Sequence, residues 1–290
     1  MSEAGLGPGG ALGAVPYLRP HPGAAEVFSR RARRLAALAP GHAAGEYLSL
    51  LSRVAAAQAG AAARLSPPTW PGGGEDGPPL DASGPWPTGW TGALDLLLPA
   101  LLDEPAPAVR AALELLAGLD EEGRAARARR LVRDEVPAGE LPTAPLLAAA
   151  LQVTFTLSAA ALPPAAVARV DSGCPCCGSA PAVGVILGDD KLRYLWCGLC
   201  ATAWHHTRLQ CVRCRSAARL EYLEVEGAGG AAKAEACLAC GAYLKLLYLE
   251  RAPAQEPLAD DLGTLALDLL VAERGLAPLG RNLLLVQAAG

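Results

Sequence analysis

Nine cysteines lie between Cys174 and Cys240 of this 290-residue chain, and none lies outside that stretch. Eight form four CxxC pairs: Cys174/Cys177, Cys197/Cys200, Cys211/Cys214 and Cys237/Cys240. Random placement within the same stretch would give about one such pair, so the spacing is selected. A CxxC turn presents two thiolates on one side of a tight loop. Two such turns supply the four soft ligands of a tetrahedral zinc or iron site. The pattern predicts two tetrathiolate centres, each holding one metal ion.

Nineteen residues separate Cys177 from Cys197 and 22 separate Cys214 from Cys237, the spacing of zinc ribbons and rubredoxin-like modules. Sequential pairing is therefore favoured. The competing arrangement joins Cys197/Cys200 to Cys211/Cys214 across ten residues and leaves the outer pairs to meet over a much longer loop. Zinc and iron share the ligand set, so a structural zinc and a redox-active iron both stay open. Gly178 and Gly241 directly follow the second cysteine of their pairs, where positive φ turns backbone N–H groups toward sulfur. Ala201 and Arg215 hold the equivalent places, and the pattern is incomplete there. Cys176, beside Cys177, reads as a spare thiol pointing away from the metal, with ligand exchange as its functional alternative. His205 and His206 fall on opposite faces of a strand, and four cysteines per site leave no need for either as ligand.

The remaining chain must position these turns. From Val183 to Leu187 residues alternate, Gly188-Asp189-Asp190 turns, and Leu192 to Trp196 returns: a hairpin strung between two CxxC turns. The plan recurs from Leu220 to Glu226, through Gly227 to Gly230, and out along Tyr243 to Leu249. The expected class is α+β: a helical N-terminal domain at 1–165, metal modules at 170–208 and 209–252, and a C-terminal helix and tail at 255–290. Helices are expected at Ala24 to Leu38, Ala43 to Leu65, from Thr91 or Gly92 to Leu102, at Pro105 to Leu116, Asp120 to Val132 and Thr143 to Leu162, and a closing one from Pro257 to about Arg274. In the first, Arg30, Arg31, Arg33 and Arg34 lie mostly off the apolar face. Ser66 to Gly89 carries seven prolines and six glycines and forms a loop, which Trp70, Trp86 and Trp90 pin to the helices.

A formal charge of −4 gives no global attraction to nucleic acid. Met1 to Ala14 lacks a basic start and an apolar run, which predicts a cytoplasmic protein without a secretory signal, and CxxC pairs there mean metal or redox chemistry. The uncharged stretch from Leu141 to Ala168 has the length of a membrane span, but Gln152, Thr154, Thr156 and Ser158 mark it as the centre of a helical bundle. No phosphate loop, nucleophile elbow, zinc-protease motif or dinucleotide fingerprint is present, so no enzyme is expected. Asp261 and Asp268 share a helix face with Asp260 nearby, a solvated face in its commoner form.

The runs from Leu192 to His205, Cys211 to Cys214 and Lys233 to Lys245, with the tail Ala259 to Asp268, resemble the FdhE family of formate dehydrogenase accessory proteins. The motif-bearing likeness covers about residues 172–285. The resemblance implies a cytoplasmic, chaperone-like maturation factor that binds the catalytic subunit of formate dehydrogenase, with rubredoxin-like modules associated with iron. Arg193, Tyr194, Trp204, His205, Tyr243 and Lys245 flank the turns and are the candidate contacts for that subunit; packing around the ribbons is the alternative for each. The chain departs from the family at its long Pro/Gly loop and at Leu283, where a proline is expected after Asn282. Two other classes remain: a rubredoxin-like electron-transfer protein and a nucleic-acid-binding zinc ribbon.

Overall fold

The computed structural model describes residues 15–71, 77–170 and 172–285. The reading of Met1 to Ala14 lies outside them, as do parts of the Pro/Gly loop and of the tail. Six helices form the N-terminal half: α1 (Ala24–Leu38), α2 (Gly45–Arg64), α3 (Gly92–Ala100), α4 (Pro107–Gly118), α5 (Glu121–Arg133) and α6 (Ala144–Ala161). Helix α6 is the axis, packed by α1, α2, α3 and α5. The stretch Ala138–Ala161 is long and apolar enough to cross a membrane, and 78% of its apolar part is buried inside the molecule.

On α1 the buried stripe is Ala24, Val27, Phe28, Arg31 and Leu35. Arg31 thus sits on the apolar face, where most of the four arginines were not expected. Its charge is paired there: Nε and Nη2 donate to Glu256 Oε1 at 3.2 and 3.1 Å, and Nη1 donates to Gln152 Oε1 at 3.4 Å. The three tryptophans fix the loop as expected. Trp70 packs edge-on against Phe155 and donates to Ser158 Oγ at 2.8 Å, while Trp86 contacts both Trp90 and Phe155.

The second half carries β1 (Pro181–Leu187), β2 (Leu192–Cys197), β3 (Ala203–His205), β4 (Leu220–Leu223), β5 (Ala232–Cys237), β6 (Ala242–Tyr248) and the short β7 (Ala277–Pro278). Each module is an antiparallel meander, but the two are not separate. Strand β1 pairs in parallel with β6, giving one sheet of order β3-β2-β1-β6-β5-β4 with β7 beside β6. The join is tight: at Gly184 a Cβ would stand 2.5 Å from Leu246 Cδ2. Pairing the modules satisfies two strand edges that would otherwise stay open.

The expected closing helix is present but divided into α7 (Pro257–Leu262) and α8 (Leu265–Ala272). The Thr264 hydroxyl donates back to Asp260 O and Asp261 O at the break, capping α7 where the backbone leaves it.

Candidate metal centres

All four CxxC turns fold into the same knuckle. The residue after each second cysteine has positive φ: Gly178 at 78°, Ala201 at 56°, Arg215 at 63° and Gly241 at 71°. The pattern that glycine marks at two turns is therefore complete at all four, with Ala201 and Arg215 holding a conformation that costs an L-residue about 1 kcal/mol. Backbone bonds close each turn: Gly178 N–H to Cys174 O at 2.8 Å, Arg215 N–H to Cys211 O at 2.9 Å and Gly241 N–H to Cys237 O at 2.9 Å. At the remaining knuckle the N–H groups of Leu199 and Cys200 point at Cys197 Sγ, at 3.4 and 3.5 Å.

These turns bring the sulfurs together in the sequential pairing. Cys174, Cys177, Cys197 and Cys200 form one group and Cys211, Cys214, Cys237 and Cys240 the other, with the sulfurs of each group within 4.8 Å of one another. Neighbouring sulfurs lie 3.5 Å apart for Cys174 and Cys200, 3.4 Å for Cys177 and Cys197, 3.7 Å for Cys211 and Cys240, and 3.6 Å for Cys214 and Cys237. A tetrahedron with metal–sulfur bonds of about 2.3 Å has edges of about 3.8 Å, so both groups fit one zinc- or iron-sized ion. Cys176 stands outside both groups. It is buried, and its carbonyl accepts the Leu80 N–H at 2.8 Å.

The centres differ in what surrounds them. Every cysteine of the first is 2% exposed or less, and all belong to the core shared with the helical domain. Three elements close over its knuckles. From α6, Gln152 Nε2 donates to Gly198 O at 2.7 Å and Thr156 Oγ1 lies 3.5 Å from Leu199 O. From the Pro/Gly loop, the N–H groups of Leu80 and Ala82 donate to Cys176 O and Cys177 O. From the N-terminal segment, His21 Nε2 lies 3.4 Å from Cys200 O, and since Nδ1 accepts the Gly23 N–H, Nε2 is the donor. Of the polar residues of α6 that argued against a membrane span, Gln152 and Thr156 cap this knuckle, whereas Thr154 bonds Trp90 O and Ala150 O and Ser158 bonds Thr154 O.

In the second centre Cys211 and Cys237 are buried, Cys240 is half-buried and Cys214 is exposed. Its knuckles are bonded within their own module and by β7: Gln210 donates to Arg215 O, Leu238 N–H to Arg219 O and Ala277 N–H to Gly241 O. Arg213, Arg215 and Arg219 are exposed around it. Burial pushes the Cys211 thiol up to about 12, whereas the Ser216 N–H holds Cys214 down at about 7. In the first centre burial pushes Cys174 and Cys200 well up.

The six side chains expected to touch a partner are mostly interior, because their polar ends find partners inside the sheet region. Arg193 is fully buried, ion-paired with Glu235 and donating to Gln210 O at 2.8 Å. Glu235 also accepts from Tyr222 at 2.9 Å. Lys245 is 4% exposed and donates to Asp261 Oδ1 and Asp268 Oδ2, each at 2.7 Å. Tyr243 is buried with its hydroxyl on Asp268 Oδ1, Trp204 is fully buried, and Tyr194 is buried with its hydroxyl on Pro16 O. His205 alone is half-buried, stacked edge-on against Tyr194. The acidic residues form no solvated face: Asp260 and Asp261 on α7 are buried, held by Arg34 and by Lys245 and Asn282, and Asp268 on α8 is half-buried against Lys245 and Tyr243. The buried network in which Arg31 bonds Glu256 and Gln152, and Gln58 Nε2 donates to Gln152 Oε1 at 3.0 Å, was not foreseen; an arginine on an apolar helical stripe was the available signal.

Comparison with known proteins agrees with this architecture. The chain matches three consecutive family models, described as "FdhE, N-terminal" over residues 15–172, "FdhE, central domain" over 173–208 and "FdhE, C-terminal domain" over 209–285. A protein named "Protein FdhE homolog" from Stutzerimonas stutzeri is 40% identical over 273 residues, covering 90% of each chain. One of the same name from Pseudomonas aeruginosa is 38% identical over 313 residues, covering 98% of each. The crystal structure of the FdhE protein from Pseudomonas aeruginosa superposes with a TM-score of 0.83 at 35% identity, over 94% of this chain and all of that one. With identity, coverage and fold agreeing from residue 15 to residue 285, this chain belongs to the FdhE family.

Proposed function

We propose that the protein is an accessory factor for formate dehydrogenase. It acts in the cytoplasm, without catalysis, by binding the enzyme's catalytic subunit during maturation. Family membership along the whole described chain carries this reading. The two tetrathiolate groups support a metal-stabilised domain as its binding element. The eight paired cysteines are the proposed ligands. These cysteines would hold a zinc or iron ion, which would supply four metal–sulfur bonds linking two knuckles. The protein's own residues do the rest: Gln152 and Thr156 dock the first knuckle on α6, and Arg193–Glu235 and Lys245–Asp261 anchor the sheet and α7.

Co-purification with the dehydrogenase catalytic subunit tests the proposal. Wild-type protein retains the subunit, and serine variants at both centres lose it. Retention unaffected by loss of both centres would remove the metal-dependent part, and no retention by wild type would remove the binding role.

The exposure of Cys214 favours one second reading, electron transfer at a rubredoxin-like iron. Anaerobically purified protein without an iron–thiolate absorption band that bleaches reversibly on reduction would exclude it.

A further inference from the structure

The two centres have one ligand set and one knuckle geometry, but only one of them is closed. At the first, the ligand sulfurs lie inside the main core, and the backbone carbonyls of both knuckles are bonded to α6, to the Pro/Gly loop and to the segment at His21. A competing ligand reaches that metal only after those covers open, which is a partial unfolding of the helical domain. At the second, Cys214 is exposed and Cys240 half-buried, so one edge of the tetrahedron meets solvent in the folded state. The core behind it is small: Ala234, Ala236, Tyr243, Leu267, Val271 and Leu276.

We propose that the second centre exchanges its metal in the folded protein while the first retains its own, so that a one-metal form with an intact fold exists. The inference rests on the reading that both groups bind metal. In exchange, a donor atom of a chelator from solvent would form a bond to the metal as the bond to Cys214 breaks. The thiolate leaves with its electron pair and takes a proton from water, and the remaining three bonds follow in turn. Four thiolates around a divalent ion carry a net charge of −2, and the exposed Arg213 and Arg219, close in sequence to Cys214, offset it. The acceptor or donor it suits is a thiolate or carboxylate chelator.

The test uses the full chain, refolded anaerobically with zinc to two equivalents and then mixed with excess EDTA. Native mass spectrometry follows the metal count, and iodoacetamide with peptide mapping follows the cysteines. One equivalent leaves at least about tenfold faster than the other, because one exit needs no unfolding. Label appears on Cys211, Cys214, Cys237 and Cys240 while Cys174, Cys177, Cys197 and Cys200 stay protected, and the far-UV dichroism is unchanged. Coincident loss of both equivalents, or earlier labelling of the first group, overturns the proposal. As a second arm, Cys214→Ser is expected to hold one zinc, lack the fast phase and keep its helical content. Loss of both metals in that variant also overturns it. A wild-type chain that takes up no zinc removes the metal reading itself and this inference with it, an outcome distinct from two metals leaving together.

Discussion

The two cysteine centres share their knuckles and differ in their surroundings. Ligand spacing and positive φ are local properties, and they repeat at all four turns. Burial is not local. The first centre directly follows α6, whose Gln152 and Thr156 reach the carbonyls of Gly198 and Leu199. The second lies one module further along, where Val212 joins the main core but a small cluster of β5, β6 and α8 residues lies behind the sheet. The same four-cysteine arrangement can therefore be a core element in one place and an accessible group in another.

The largest expected effect strikes that difference directly. Cys197→Ser puts a hydroxyl in a fully buried tetrathiolate, and structural zinc sites contribute roughly 10 kcal/mol or more, as much as a domain's whole stability. Calorimetry should show no cooperative transition for the bundle in that variant, whereas Cys214→Ser retains it. Equal behaviour would break the comparison. Next is Arg31→Met, which strands the buried Glu256 and loosens Gln152, at about 3–5 kcal/mol by denaturant unfolding. It should also speed metal release from the first centre and leave the second unchanged. Gln152→Ala leaves Gly198 O without its donor, for about 1–3 kcal/mol, with the same selectivity for the first centre. Smallest are Ala201→Gly and Arg215→Gly, one at each centre. Each relieves about 1 kcal/mol of left-handed backbone, less the entropy glycine gives the unfolded chain, and so raises the midpoint slightly. Opposite signs at the two centres would mean that the knuckles are not equivalent after all.

The grouping of the eight paired cysteines into two sequential sets was legible because CxxC spacing is a property of a few consecutive residues. Helices α1 to α6 were legible from periodicity. What escaped depends on distant partners. Arg31 looked like a surface arginine because Glu256, 225 residues away, is invisible to a local pattern. Arg193 and Lys245 looked like contacts for another protein because sequence shows their charge but not Glu235 or Asp261. Ala201 and Arg215 hid their conformation because tertiary closure, not residue type, imposes it. The split between α7 and α8 comes from a threonine cap that periodicity does not weigh.

The parallel pairing of β1 with β6 carries a consequence for the order of folding. Within the hairpins paired residues lie 5 to 17 positions apart, but Val183 must find Lys245 across the entire second module. Closing that loop costs entropy that no local contact repays, so the join is the slow step. During synthesis β1 is complete some sixty residues before β6 leaves the ribosome, with one side of the strand unpaired. The nascent chain carries a sticky edge through that interval, and its protection falls to whatever first covers it.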